Sequence, residues 1–133
     1  DYLQTRVSQQ VTFTFKAPEH PIYVEINPAL HSWTIENLVK NAIDAMKGKG
    51  SLNIIISELE DIVKISITDS GKGIPKNQFT KVFEPGFTTK KRGWGLGLSL
   101  TKRIVQEYHK GKIKVAHSEI GKGTTMQISY KTA

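Results

Sequence analysis

Apolar and polar residues first alternate with a period of two. In VTFTFK (11–16), Val11, Phe13 and Phe15 fall on one side and two threonines on the other, which predicts a half-buried strand. IYVEI (22–26) repeats the alternation and predicts a second strand. The period then lengthens. Leu30, Trp33, Ile35, Leu38, Ala42, Ala45 and Met46 recur mostly at spacings of three or four, the stripe of an amphipathic helix over 27–48. Asn27 suits its cap, Pro28 its first turn and Gly48 its end. SLNIIISELE (51–60) and DIVKISITDSGKG (61–73) are β-rich runs that meet near Leu59–Asp61. PKNQFTKVF (75–83) predicts a short helix after Pro75, and 83–95 has no period and reads as a loop. LGLSLTKRIVQEYH (96–109) predicts a second amphipathic helix stopped at Gly111. Residues 111–131 read as a hairpin around Gly121 and Gly123. Strands and helices interleave without strict βαβ alternation. The expected class is α+β: a two-layer sandwich whose mixed, mostly antiparallel sheet of about five strands carries about three helices on one face.

Composition narrows the class. A chain of 133 residues, 38% hydrophobic and 23% charged, suits one soluble globular domain. No run approaches the roughly 20 apolar residues of a membrane span. Cysteine is absent, which removes disulfides and thiolate metal sites and fits a cytoplasmic setting. The net charge of +7 fits nucleic acid, an anionic ligand or a merely soluble surface. The basic residues are dispersed along the chain, apart from Lys90–Arg92, and no aromatic-basic interleaving stands out, so nucleic acid is not expected.

Three stretches carry candidate chemistry. Gly93, Gly95 and Gly97 follow Lys90, Lys91 and Arg92 and lead straight into the second helix. The spacing is neither a dinucleotide fingerprint nor a P-loop. Glycines at a helix start let backbone N–H groups approach a phosphate chain; the same residues also suit a surface loop with solvated lysines. In TDSGKGIP, Asp69 closes an apolar strand before Gly71 and Gly73. A carboxylate there can accept from a base amino group, or simply form an Asp-Gly turn. Asn37 and Asn41 stand four apart on one helix face among apolar neighbours. An amide oxygen there can ligate Mg²⁺, or bond locally to backbone.

The order of Asn37-Leu38-Val39-Lys40-Asn41-Ala42, Asp69-Ser70-Gly71-Lys72-Gly73, Phe83-Glu84-Pro85-Gly86-Phe87-Thr88-Thr89-Lys90 and Gly93-Trp94-Gly95-Leu96-Gly97-Leu98 resembles the N, G1, F and G2 boxes of the ATP-binding catalytic domain of sensor histidine kinases, in the GHKL (Bergerat-fold) superfamily. GKGTTMQISY (121–130) is similar to that family's last hairpin. The resemblance covers roughly residues 11–130. It implies a catalytic domain over 11–133 and, in 1–10, the end of a linker from a preceding dimerisation domain. It implies Mg-ATP as ligand, with Asn41 on Mg²⁺ and Asn37 facing the phosphates or the metal's waters. Asp69 would accept from the adenine amino group, with Gly71 and Gly73 near the base. Phe83 and Phe87 would anchor a lid holding Thr88, Thr89, Lys90, Arg92, Gly93, Gly95, Leu96 and Gly97, whose backbone and cations meet the phosphates.

The resemblance further implies transfer of the γ-phosphoryl group to a histidine on a dimerisation domain of the same protein, and then a response regulator. It implies a homodimer only at full length, a cytoplasmic location with any membrane anchor elsewhere, and no nucleic-acid or membrane contact from this segment. His20, His31, His109 and His117 lack the setting of a phosphoacceptor and read as surface or packing residues. Departures from the family pattern are Asp44, Gly86 and Trp94, none of which receives a role. Hydrolytic relatives carry a glutamate where Asn37 stands, and an amide cannot take a proton from water. A hydrolytic ATPase and a non-catalytic nucleotide-binding module are the alternatives.

Overall fold

The computed structural model describes residues 10–85 and 97–133. Five strands build one sheet: β1 (Val11–Lys16), β2 (Gly50–Leu59), β3 (Ile62–Asp69), β4 (Lys112–Glu119) and β5 (Gly123–Lys131), in the order β1-β2-β3-β5-β4. β1 runs parallel to β2; every other pair is antiparallel. Parallel neighbours need a crossover, and α1 (Pro28–Ala45) lies in the one that joins them. The rest of the helical layer is two single 3₁₀ turns, Lys76–Gln78 and Lys81–Phe83, and α2 (Gly97–Arg103), which runs on as a π turn over Ile104–Tyr108. This is the expected two-layer α+β sandwich.

Strand register puts the apolar residues on one face. Phe15, Ile54, Ile67, Met126 and Val115 form one cross-strand row, and Ile56, Ile65, Ile128 and Ile113 the next. The helical layer covers this face, and Leu38, Val39 and Ala42 of α1 join Leu52, Ile67, Val105 and Ile128 in a single core. Two fully buried hydroxyls are satisfied within their helices: Thr34 donates to the Leu30 carbonyl at 2.9 Å and Thr101 to the Gly97 carbonyl at 2.8 Å.

The expected ends of α1 are present. Asn27 Oδ1 accepts from the Leu30 N–H at 3.1 Å, and Pro28 occupies the first turn. Lys47 and Gly48 take φ of 56° and 75°, and the Gly48 N–H donates to the Ile43 carbonyl at 3.0 Å. The strand expected over 22–26 is not a strand. Ile22, Val24 and Ile26 pack on the core while Tyr23 and Glu25 are exposed, so the period of two is real. None of the described strands pairs with this segment, however; the Tyr23 carbonyl accepts from the Ala133 N–H at 2.7 Å, just past the end of β5. Alternation reports alternating burial, not ladder bonds. The short helix expected over 75–83 is instead the pair of 3₁₀ turns. Of the expected linker 1–10, only Gln10 is described; its carbonyl accepts from the Gly50 N–H at 3.2 Å.

At the opposite end of the helical layer, His109 joins the two helices. Its Nε2 accepts from the Asn27 N–H at 3.1 Å, so the ring is neutral with its proton on Nδ1. Tyr130 stacks edge-on against both His109 and His31, with ring centroids 5.9 and 6.1 Å away. Burial holds both imidazoles below the ordinary histidine value, and His109 further lowers His31. A lowered histidine favours the folded state while neutral. Stability is therefore complete above the ordinary value and falls as pH drops through it toward the lowered folded values. Urea unfolding between about pH 7.5 and 5 should show this acid-side loss. His109→Gln keeps an acceptor for Asn27 and should flatten part of the slope; an unchanged slope would show that His109 carries none of it.

Candidate functional site

The inward row Phe13, Leu52, Asp69 and Thr124 ends in two polar residues. Asp69 is the last residue of β3 and is only 8% exposed. Its Oδ1 accepts from the Gly71 N–H at 2.8 Å and the Thr124 N–H at 3.3 Å. Oδ2 has no partner among the described residues. Desolvation raises the carboxyl above its ordinary value, and the two N–H donors pull it part of the way back. The group is thus an anchored acceptor with one oxygen uncommitted.

The loop after Asp69 is held close on both sides. A methyl on Gly71 would meet the Ala45 backbone at 2.7 Å, so the loop touches the end of α1 as nearly as a backbone can. The Lys72 N–H fastens it there, donating to the Ala45 carbonyl at 3.1 Å. Gly73 takes φ of 82° and lies against the Glu119 carbonyl, a placement that excludes a side chain. The Gly121 N–H donates back to the Lys72 carbonyl at 2.9 Å. The loop is therefore wedged between α1 and the β4–β5 hairpin.

Asn37, Asn41 and Ala45 stand at successive turns of α1, a stripe about 12 Å long. Asp69 and Gly71 meet its Ala45 end. Gly97 meets its Asn37 end, where a methyl would come within 3.2 Å of the Asn37 amide. That amide donates to Thr101 Oγ1 at 2.9 Å, which fixes Asn37 to α2 one turn from its start. Phe83 is buried in the core, and the Lys102 ammonium lies 5.8 Å from its ring centroid. Asn37, Asn41, Asp69, Gly71, Gly73, Phe83 and Gly97 are thus the expected site residues that can be located. Phe87, Thr88, Thr89, Lys90, Arg92, Gly93, Gly95 and Leu96 lie outside the described residues.

Three site residues escaped the sequence reading. Thr124 bonds Asp69 through its N–H, and its Oγ1 lies 2.7 Å from Ser118 Oγ. Ser118 accepts from the Ile74 N–H at 2.7 Å and donates to the Gly123 carbonyl at 3.0 Å, tying the loop to the hairpin. Thr101 orients Asn37. The available signal was Thr124 within GKGTT, read only as a turn. Ser118 and Thr101 carry none, because their role depends on long-range register.

Residues 29–133 match the family described as histidine kinase-, DNA gyrase B-, and HSP90-like ATPase. Sensor histidine kinase ZraS of Escherichia coli (strain K12) is 40% identical over 121 residues, covering 91% of this chain and 26% of ZraS. The chain therefore spans about a quarter of that relative's length. The nucleotide-free catalytic domain of histidine kinase ThkA superposes with a TM-score of 0.81 at 31% identity, covering 92% of this chain and 79% of the other. Histidine kinase ThkA in complex with response regulator protein TrrA gives 0.79 at 29% identity, covering 92% and 34%.

Asp69→Asn tests the electrostatics of the site. The amide oxygen can still accept from Gly71 and Thr124, but no charge is buried. A raised carboxyl opposes folding when ionised, so the native chain should be the less stable protein at neutral pH. The difference should shrink as pH falls through the raised value toward the ordinary carboxylate value. Urea midpoints of the two proteins across that range report it; equal midpoints at neutral pH would contradict a strained carboxylate.

Proposed function

The chain belongs to the histidine kinase-, DNA gyrase B-, and HSP90-like ATPase family, and from that premise we propose that ATP lies along α1 with its adenine on Asp69. The observation that carries this reading is the uncommitted Oδ2 of a buried, anchored carboxylate beside two glycines. An ionised acceptor there suits the exocyclic amino group of adenine and repels the carbonyl of guanine. The stripe from Ala45 to Asn37 then leads from base to phosphates, and Gly97 brings the start of α2 to the phosphate end.

Mg²⁺ fits the donor chemistry at Asn41. Among the described residues no three histidine or carboxylate groups stand together to hold a metal. A hard amide oxygen, supplemented by nucleotide phosphates and water, suits an ion that keeps several waters. Bound there, Mg²⁺ would neutralise phosphate charge.

The reaction proposed is donation of the γ-phosphoryl group to a histidine on a dimerisation domain of the same protein, followed by a response regulator. ThkA, similar in fold and sequence, has been seen with its response regulator. Association as a homodimer is assigned to the full-length protein, with this segment on the cytoplasmic side. Hydrolysis is the weaker reading, because an amide cannot serve as base and Asn37 is already committed to Thr101.

Calorimetric titration should show ATP bound well and GTP poorly. A hydrogen bond to a charged group contributes about 1.5–3 kcal/mol, so Asp69→Asn should weaken ATP at least about tenfold. Equal affinity for ATP and GTP would sink the adenine assignment. Asn41→Leu should keep the helix and abolish the Mg²⁺ dependence of ATP affinity; a full Mg²⁺ effect in that variant would place the ion elsewhere.

Incubation of this chain with γ-labelled ATP should give neither labelled protein nor rapid phosphate release, since phosphoryl transfer requires an aligned acceptor. Addition of a dimerisation domain with its histidine should restore transfer. Phosphate release that is lost on Asn37→Ala would establish a hydrolase instead.

A further inference from the structure

The sequence scatters its lysines; the sheet gathers them. On the face turned away from the helices, Lys16, Ile55, Ser66, Gln127 and Lys114 form one row across all five strands. Ser57, Lys64, Ser129 and Lys112 form the next, and Leu59, Ile62 and Lys131 a third. Strands lie about 4.8 Å apart and alternate residues about 6.7 Å apart. The five ammonium groups therefore share a patch roughly 20 Å by 14 Å. Lys64, Lys112, Lys114 and Lys131 each lie within about a Debye length of a neighbour, so their fields add, while Lys16 stands about 12 Å from Lys64 at the edge of the patch. All five are exposed, and among the described residues none makes an ion pair. The carboxylates nearby are at the rim: Glu60 and Asp61 in the β2–β3 turn, and Glu119 at the far end of β4, held by Lys122 at 3.4 Å.

We propose that this face binds the anionic headgroups of a phospholipid bilayer. Its chemistry selects that partner over other polyanions. Among the described residues, these three rows carry no arginine to bind phosphate or guanine in a bidentate fork and no aromatic ring for a base to stack on. What it offers besides point charges is aliphatic: Ile55, Leu59 and Ile62 are 42%, 71% and 38% exposed among the lysines. Lysines over an anionic surface add their attraction one by one, and exposed aliphatic side chains settle at the headgroup level. The resemblance implied no membrane contact from this segment, and the sequence shows these lysines only as dispersed; register brings them together. Docking through this face leaves the helical layer, with Asp69 and α1, directed away from the lipid and open to nucleotide.

Sedimentation with phosphatidylcholine vesicles, with and without phosphatidylglycerol, tests the proposal. The chain should sediment only with the anionic vesicles, and added salt should release it. The variant Lys64→Gln, Lys112→Gln, Lys114→Gln should bind at least about tenfold more weakly. The variant Lys47→Gln, Lys49→Gln, Lys76→Gln, with the same net charge but changed off this face, should bind nearly as well as the native chain. ATP should bind all three proteins alike and should not compete with vesicles. Failure to sediment with anionic vesicles, or equal weakening by the two triple variants, overturns the proposal. So does binding of polyglutamate through Lys64, Lys112 and Lys114 without vesicle binding.

Discussion

Two backbone N–H groups, from Gly71 and Thr124, converge on one carboxylate oxygen of Asp69. Much of the molecule is arranged around that convergence. Burial opposes an ionised carboxyl, and two short-range donors offset only part of the opposition. The group is retained in a row that begins with Phe13 and Leu52, beside the β5 hairpin. The same two bonds also splice three parts of the chain. Gly71 belongs to the loop that touches α1, Thr124 to the hairpin that closes the sheet, and Asp69 to the central strand. A residue that costs stability while joining the elements of a site is what a binding function demands.

The second constraint is close approach. α1 must lie on the sheet because it is the crossover between parallel strands. Gly71 meets its backbone at Ala45, and Gly97 meets the Asn37 side-chain amide. The bond from Asn37 to Thr101, and from Thr101 to the Gly97 carbonyl, makes the start of α2 depend on the face of α1. His109 makes the far end of the same helical pair depend on Asn27. α2 is thus fastened to α1 at both ends, and a change at one helix reaches the other through named bonds.

Much of this was legible from residue order. The stripe from Leu30 to Met46 places α1, Asn27 and Gly48 bound it, and Asp69 stands where an apolar run meets glycines. The legible features are those whose cause is local: period, cap and turn. Residues 22–26 misled because none of the described strands pairs with the segment, a fact about topology and not about IYVEI. Ser118 and Thr101 were invisible because each serves a residue more than forty positions away. The basic face was invisible for the same reason: Lys16, Lys64 and Lys112 are neighbours only through β2 and β5.

The central claim is that the end of β3 and the stripe along α1 form one nucleotide site. Amide-resolved NMR of the ¹⁵N-labelled chain titrated with ADP and Mg²⁺ tests it most directly. The account predicts that the largest shifts fall on the Gly71, Gly73 and Thr124 backbone amides and on the Asn37 and Asn41 side-chain amides. Ser66, Gln127 and Ser129, on the opposite face of the sheet, should stay still. Shifts concentrated on that opposite face, with Gly71 and Thr124 unmoved, would contradict it.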